Sequence, residues 1–321
     1  MKSKKKSFPL SGLLLVNKPS GITSHDLVAK VRRALGTKAV GHTGTLDPMA
    51  EGLMVLVLEK ATKLSPWLTA EEKAYSGIAR LGQTTTTGDS EGEVLKDFGS
   101  QNWTLTEVQD AARSIQGLQE LPVPKFSAIK VDGEKLYNKA RAGESFEPPK
   151  RPMNFYKSKA YEVVEGHDVH FYIHCSKGSY IRSWAERLGV LLDTGAHLRS
   201  LKRETVGGFK LESALTVDFF EELSDVETQD KVDKLSQTKG FIPFAYALPE
   251  AELLFVSRDE EKLFLNGQIP NKLRPRLNPL IRKSIKENHD SVVRVLNKEQ
   301  SLLGVLSLSS GGKVKISRVF N

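Results

Sequence analysis

The sequence predicts an α+β fold in which strands and amphipathic helices alternate irregularly, followed by a small β-rich C-terminal domain. Three observations predict it. Apolar and polar residues alternate cleanly over 169–176, and Tyr75, Gly77, Ala79 and Leu81 share one face of 75–81, the signature of half-buried strands, whereas residues 23–36 carry an apolar stripe at helical spacing. Beyond Pro249 the chain turns to short strand-like runs at 292–296, 302–308 and 314–320, with Gly311-Gly312 between the last two. A chain of 321 residues with 39% apolar and 27% charged residues is long enough for one large domain and a smaller one.

In chain order, residues 12–16 read as a buried strand and 18–21 as a turn. A helix follows, with Thr23 and Asp26 as a capping box, Leu27, Val28, Val31, Ala34 and Leu35 as its buried stripe, and Gly36 as its stop. Its Lys30, Arg32 and Arg33 read as a solvated face. A buried strand is expected at 53–58 and another at 75–81, where Tyr75, Gly77, Ala79 and Leu81 share one side. Residues 83–92 are polar and glycine-punctuated, hence a loop. A helix over 106–116 is expected to use Gln109 to complete its cap and Gly117 to end it. Residues 122–152 mix prolines, glycines and bases with no period and read as a surface excursion. In 169–176, Val169, Phe171, Ile173 and Cys175 face the core, while His170, Tyr172, His174 and Ser176 face water or RNA. The next helix carries Ile181, Trp184, Ala185 and Leu188 on one stripe, with Arg182 in its first turn. A cation there opposes the helix dipole and is better tolerated with a carboxylate opposite. Residues 217–237 are acidic and helical in pattern.

The stretch Gly41-His42-Thr43-Gly44-Thr45-Leu46-Asp47-Pro48-Met49-Ala50-Glu51-Gly52 organises the rest. Its glycines allow close backbone approach, and Pro48 stiffens the chain just after Asp47, so one His and one Asp are held in a fixed frame. It lacks the Gly-Lys-Ser/Thr of a phosphate-binding loop and the Gly-x-Gly-x-x-Gly of a dinucleotide site. No second His or Cys lies at ligand spacing, so no metal is expected; Asp47 as a plain turn cap is the remaining structural alternative. The net charge of +8 suits a polyanionic partner such as nucleic acid. The single cysteine, Cys175, forms no internal disulfide and fits a reducing cytoplasm. No apolar run approaches the length of a membrane span, and the Lys-rich residues 1–9 are expected to form a basic tail.

Gly-His-Thr-Gly-Thr-Leu-Asp-Pro-x-Ala-x-Gly closely resembles the catalytic motif of the TruB-type tRNA pseudouridine synthases, in which the Asp is catalytic. Further motifs extend the resemblance over about residues 10–215: Lys18-Pro19-x-Gly21-x-Thr23-Ser24-His25-Asp26, the Thr85, Thr87, Asp89 and Gly92 spacing, Cys175 to Arg182, and Gly195-Ala196-His197-Leu198-x-x-Leu201-x-Arg203. At Glu51 the family more often has a small or hydroxyl residue. The resemblance implies a mixed, largely antiparallel sheet flanked by helices, a catalytic domain over 10–248 and a PUA-like domain over 249–321. Residues 122–152 look like the family's RNA-gripping thumb, with Lys125, Lys130, Lys135, Lys139, Arg141, Lys150 and Arg151 to lay on phosphates.

What is implied chemically is isomerisation of a uridine in the tRNA T-loop: the N1–C1′ bond breaks, the base turns, and C5 rejoins the sugar. Asp47 is then the catalytic carboxylate, whether by attack on the sugar, addition to the base or removal of the C2′ proton. Arg182 is expected to keep it ionised. Tyr75 is expected to stack on the uracil and move a proton at C5, with Tyr180 and Leu201 shaping the pocket. His42 is expected to fill the space left by the flipped base, and Lys18 to contact substrate. No cofactor or metal is implied. The partner is tRNA, with no membrane and no protein partner required, and the chain is expected to work as a cytoplasmic monomer. A non-catalytic RNA-binding protein on the same fold, and a synthase guided by a separate RNA, are the competing classes.

Overall fold

The computed structural model describes residues 7–99, 101–127, 129–131 and 133–320. It opens with β1 (Gly12–Lys18), which runs two residues beyond the expected strand, and α1 (Ser24–Leu35). The Thr23/Asp26 capping box is formed, and Gly36 ends the helix at φ 68°, a left-handed conformation that glycine adopts without strain. Then come β2 (Val40–His42), β3 (Glu51–Leu58), the short α2 (Ser65–Thr69), β4 (Lys73–Leu81) and the hairpin β5 (Gln83–Thr85) and β6 (Val94–Asp97). Helix α3 (Leu105–Ser114) starts earlier than expected. Its cap is the Thr104/Glu107 box, because Thr104, not Thr106, has the extended backbone that turns its hydroxyl onto the N–H of Glu107.

After α3 the chain forms β7 (Gly117–Pro122), the small hairpin β8 (Lys130–Val131) and β9 (Glu134–Lys135), α4 (Leu136–Arg141) and β10 (Lys150–Val164). The surface excursion of 122–152 is thus partly ordered, and β7 and β10 are strands that the apolar pattern does not announce. Strand β10 carries bulges between Phe155 and Lys157 and between Ala160 and Glu162, so its period of two slips twice. Next are β11 (Asp168–Cys175), α5 (Ile181–Leu191), β12 (Ala196–Val206), β13 (Phe209–Lys210), α6 (Val217–Glu222), α7 (Thr228–Ser236) and β14 (Phe241–Pro243). The last part comprises β15 (Glu252–Phe255), α8 (Arg258–Leu265), α9 (Arg274–Glu287), β16 (Ser291–Leu296), β17 (Leu302–Leu308) and β18 (Val314–Val319). The C-terminal segment is therefore more helical than its strand pattern suggests.

Among the described residues ten strands join one sheet, in the order β14-β1-β3-β12-β4-β11-β10-β7, with β2 on β3 and β13 on β12. All its pairings are antiparallel except β12 with β3, where Lys202 faces Glu51 and Arg203 faces Gly52. Strands β15 to β18 make a second sheet. On the inner face of the large sheet, Leu14, Met54, Tyr75, Phe171 and Ile173 pack with α1, α3 and α5 through Leu27, Val108 and Trp184. Leu13, Leu53 and Val55, on the opposite face, pack with Leu296, Leu302 and Phe320 from the C-terminal segment. The expected tail is anchored before residue 9: Phe8 is buried in the inner core and its N–H donates to Glu59 Oε1. Met1 to Lys6 lie outside the described residues.

Candidate active site

The glycine-rich stretch spans the connection from β2 to β3, so Asp47 stands in a turn above the sheet. The turn is clamped from below. Arg203, on β12 and 2% exposed, donates from Nε to the Leu53 carbonyl at 2.7 Å and from Nη2 to the Gly44 carbonyl at 3.1 Å, and its Nη1 reaches the Thr45 carbonyl at 3.4 Å. Gly52 is obligatory at that contact: its φ is 106°, and a Cβ there would lie 2.4 Å from the Arg203 carbonyl. From the other side, the Lys18 ammonium donates to the carbonyls of Pro19 (2.9 Å), Ile22 (2.7 Å) and Pro48 (3.1 Å). All three of its N–H groups serve the backbone, and burial pushes its pKa down to about 8. Lys18 has no accessible surface, which corrects the expectation of a substrate contact: it ties the Lys-Pro turn to the loop of Asp47. Ser24 Oγ completes the frame by donating to the Leu46 carbonyl and accepting from the Leu46 N–H.

Arg182 reaches Asp47 across 135 residues of chain. Its Nη2 donates to Asp47 Oδ1 at 3.2 Å, and Nε lies 3.1 Å from Oδ2. The guanidinium is 5% exposed, while the carboxylate keeps 35% of its surface open. The same guanidinium donates from Nη1 to the Thr87 carbonyl (3.0 Å) and from Nη2 to the Phe126 carbonyl (3.1 Å), and it lies 3.6 Å from the buried Asp89 carboxylate. Asp89 was legible only as one member of a loop spacing. Its place beside the cation depends on the fold of 83–92, where its carboxylate also takes the Thr87 hydroxyl and the N–H of Glu91.

Burial pushes the Asp47 carboxyl above the ordinary carboxylate range; Arg182 pulls it down and Asp89 pushes it up. The pull of Arg182 expected from the sequence is present but does not set the direction, because burial and Asp89 outweigh Arg182 and Lys18 together. Tyr75, on the inner face of β4, is 7% exposed; burial raises its phenol, and the neighbouring Arg203 opposes the rise. Tyr180 precedes α5, half-buried, and burial raises its phenol against the pull of Arg182. Both phenols feel the negative charge of Asp47. Leu201 is buried opposite Gly77, one pleat from the Arg203–Tyr75 pair. His42 packs edge-on to His25 with ring centres 5.6 Å apart, and its buried Nδ1 has no hydrogen-bond partner. Glu51 opens β3 and faces solvent.

The model of the TruB family pseudouridylate synthase N-terminal domain matches residues 32–181. A tRNA pseudouridine synthase B of Bdellovibrio bacteriovorus is 39% identical over 312 residues, covering 97% of both chains. The chain belongs to the TruB family of pseudouridylate synthases. It is an enzyme of that family, an isomerase acting on uridine. A tRNA pseudouridine synthase B of Streptomyces avermitilis is 44% identical over 220 residues, 66% of this chain and 73% of that one. In fold, the chain resembles a subunit in the crystal structure of a Cbf5-Nop10-Gar1 complex, with a TM-score of 0.67 at 20% identity over 97% of this chain and 85% of the other. The mixed sheet flanked by helices, with its smaller C-terminal sheet, is the architecture expected from the sequence.

Two outcomes follow from this geometry. Lys18→Met leaves three buried carbonyls short of a donor, so it should destabilise the fold by about 3 kcal/mol and lower kcat at least about tenfold with KM nearly unchanged. A loss confined to KM would mean that Lys18 meets substrate after all. Arg182→Lys replaces a planar fork with a point charge that cannot serve Asp47, Thr87 and Phe126 together. Its rate at neutral pH should fall by an order of magnitude or more, and the acid limb of its pH profile should move up because Asp47 is held down less. A normal rate with an unshifted profile would refute the pairing.

Proposed function

We propose that this enzyme converts a uridine in the T-loop of tRNA to pseudouridine, with Asp47 as the catalytic carboxylate, Arg182 as its counter-ion and Tyr75 as the ring that stacks on the base. The observation that carries this reading is the Asp47–Arg182 pair, a carboxylate partly open to substrate whose cation is wholly enclosed. Isomerisation exchanges the N1–C1′ bond for a C5–C1′ bond and moves one proton from C5 to N1, with no net redox change. Any route through Asp47 needs it ionised while the sugar gains positive character. A guanidinium fixed at 3.1 and 3.2 Å serves both ends of that requirement.

Tyr75 offers a flat, largely buried ring and a hydroxyl whose proton is held by burial, which suits stacking and transfer at C5. Tyr180 and Leu201 border the same space. His42 carries a ring with an unused buried nitrogen on the loop of Asp47, which suits filling the gap left when the uridine turns out of its stack. Flipping costs a few kcal/mol, to be offset by phosphate contacts from the thumb-like segment at 122–152, whose Arg141 guanidinium lies over the Tyr137 ring. The names of the relatives, tRNA pseudouridine synthase B, support tRNA as the substrate here, and in this reading the chain acts alone as a monomer.

The test is incubation of purified enzyme with unmodified tRNA and no cofactor, followed by nucleoside analysis. Pseudouridine should appear at one T-loop position. Asp47→Asn should abolish it while tRNA affinity stays within a few-fold; parallel loss of binding would make Asp47 a structural cap instead. If the bases of 122–152 grip phosphates, log affinity should fall linearly with log salt, with a slope of about −0.7 to −0.9 per contact, and deleting the segment should flatten it. An unchanged slope would place the phosphate grip elsewhere.

A further inference from the structure

The inner face of the large sheet is filled by core and active site, but the outer face of β4, β11 and β10 stays open and carries rings in three tiers. Tyr161 packs against His170 with ring centres 6.0 Å apart, and Tyr156 packs against His174 at 5.4 Å. Between them lies Tyr172, with the Lys157 ammonium 5.1 Å from its ring centre and Lys159 as its register partner. The two bulges of β10 produce this arrangement. Each inserts one extra residue, Tyr156 in one and Tyr161 in the other, and throws an additional tyrosine onto the outer side. The two rings are 42% and 45% exposed.

The charges of this face are sorted. Asp168 lies between Arg80 and Arg199, Glu72 meets His174 at 3.0 Å, and Glu204 accepts from the Ser76 hydroxyl. Glu162, opposite His170, and Glu72, which also lies beside the Tyr156 hydroxyl, are the acids next to the rings, against Lys157 and Lys159 on the same strand as the tyrosines. Centrally Tyr172 and Ser76 are register neighbours and both half-buried, while Ala74, beside His174, is closed off at 1% exposed.

We propose that this outer face is a second RNA-binding surface, separate from the catalytic pocket, which takes unpaired nucleotides by stacking bases on Tyr156 and Tyr161 while Lys157 and Lys159 hold the intervening phosphates. Exposed aromatic rings interleaved with lysines on an open antiparallel sheet are what single-stranded nucleic acid requires, because every base has a stacking face and every linkage a negative charge. The spacing fits: Tyr156 and Tyr161 lie five residues apart, roughly 16 Å along the strand, with the Tyr172 tier between them. This surface needs only an RNA ligand and does not depend on which uridine the pocket modifies.

The experiment uses a short labelled oligoadenylate, which has no uridine to enter the active site. The intact enzyme should bind it in a salt-dependent manner, and excess T-arm hairpin should not displace it. Tyr156→Ala and Tyr161→Ala should each weaken binding by about tenfold, and Lys157→Ala with Lys159→Ala should flatten the salt slope by about one to two units. Because these side chains lie at the surface, kcat on the T-arm hairpin and the melting temperature should stay at native values. Failure of the native enzyme to bind oligoadenylate, full displacement by the hairpin, or unchanged affinity in the tyrosine variants would overturn the proposal. In those cases the rings serve the sheet alone.

Discussion

A carboxylate crowded by protein loses its hydration, and the architecture around Asp47 sets a cation against that loss. Water is partly stripped from it, a second carboxylate, Asp89, stands nearby, and the one cation in direct contact is Arg182. Arg182 is well suited to the place because a guanidinium has five N–H donors in a plane and does not lose its proton on burial. It spends them on groups from three stretches of chain, the loops at Asp47, at Thr87 and at Phe126. A cation in the first turn of α5 opposes the helix dipole, and the surrounding acceptors offset that cost. The same contacts tie the Phe126 end of residues 122–152 to the Asp47 carboxylate.

Below this pair, two buried cations hold the loop rigid by filling backbone acceptors rather than by neutralising acids. Arg203 serves the carbonyls of Gly44, Thr45 and Leu53, and Lys18 those of Pro19, Ile22 and Pro48. A turn dense in glycine would otherwise be entropically expensive to order, and its inward carbonyls would lack partners. The one parallel pairing in the large sheet, β12 with β3, makes this possible by laying Arg203 directly on Gly52. Precision at Asp47 therefore rests on a strand pairing formed about 150 residues away in sequence.

The large sheet separates two kinds of surface by its pleat. Inner positions of β4, β11 and β12 supply Tyr75, Ile173 and Leu201 to the core, while outer positions supply Ser76, Tyr172 and Lys202. The alternation at 169–176 announced this division for β11. Strand β10 stayed hidden because its two bulges break the period, and β7 because Leu118 is exposed while Leu121 is buried. The cap of α3 lies two residues earlier than its sequence suggests for a related reason: Thr104 and Thr106 each have an acceptor three residues on, and only the backbone at Thr104 decides between them.

Local chemistry determined what lies close in sequence. The Thr23/Asp26 box, the Gly36 stop, the strand of 53–58 and the glycine-framed Asp47 all follow from side chains within a few residues of one another, where propensity and turn chemistry act. The requirement for a cation near Asp47 was also legible, since the electrostatics of a desolvated carboxylate demand one. The sequence did not determine the role of Lys18, the place of Asp89 beside Arg182, or the net upward push on the Asp47 carboxyl. Each is a balance of burial against charge among groups 30 to 135 residues apart. Only the packed structure sets burial, because water is excluded by all neighbours at once and not by any one stretch of chain.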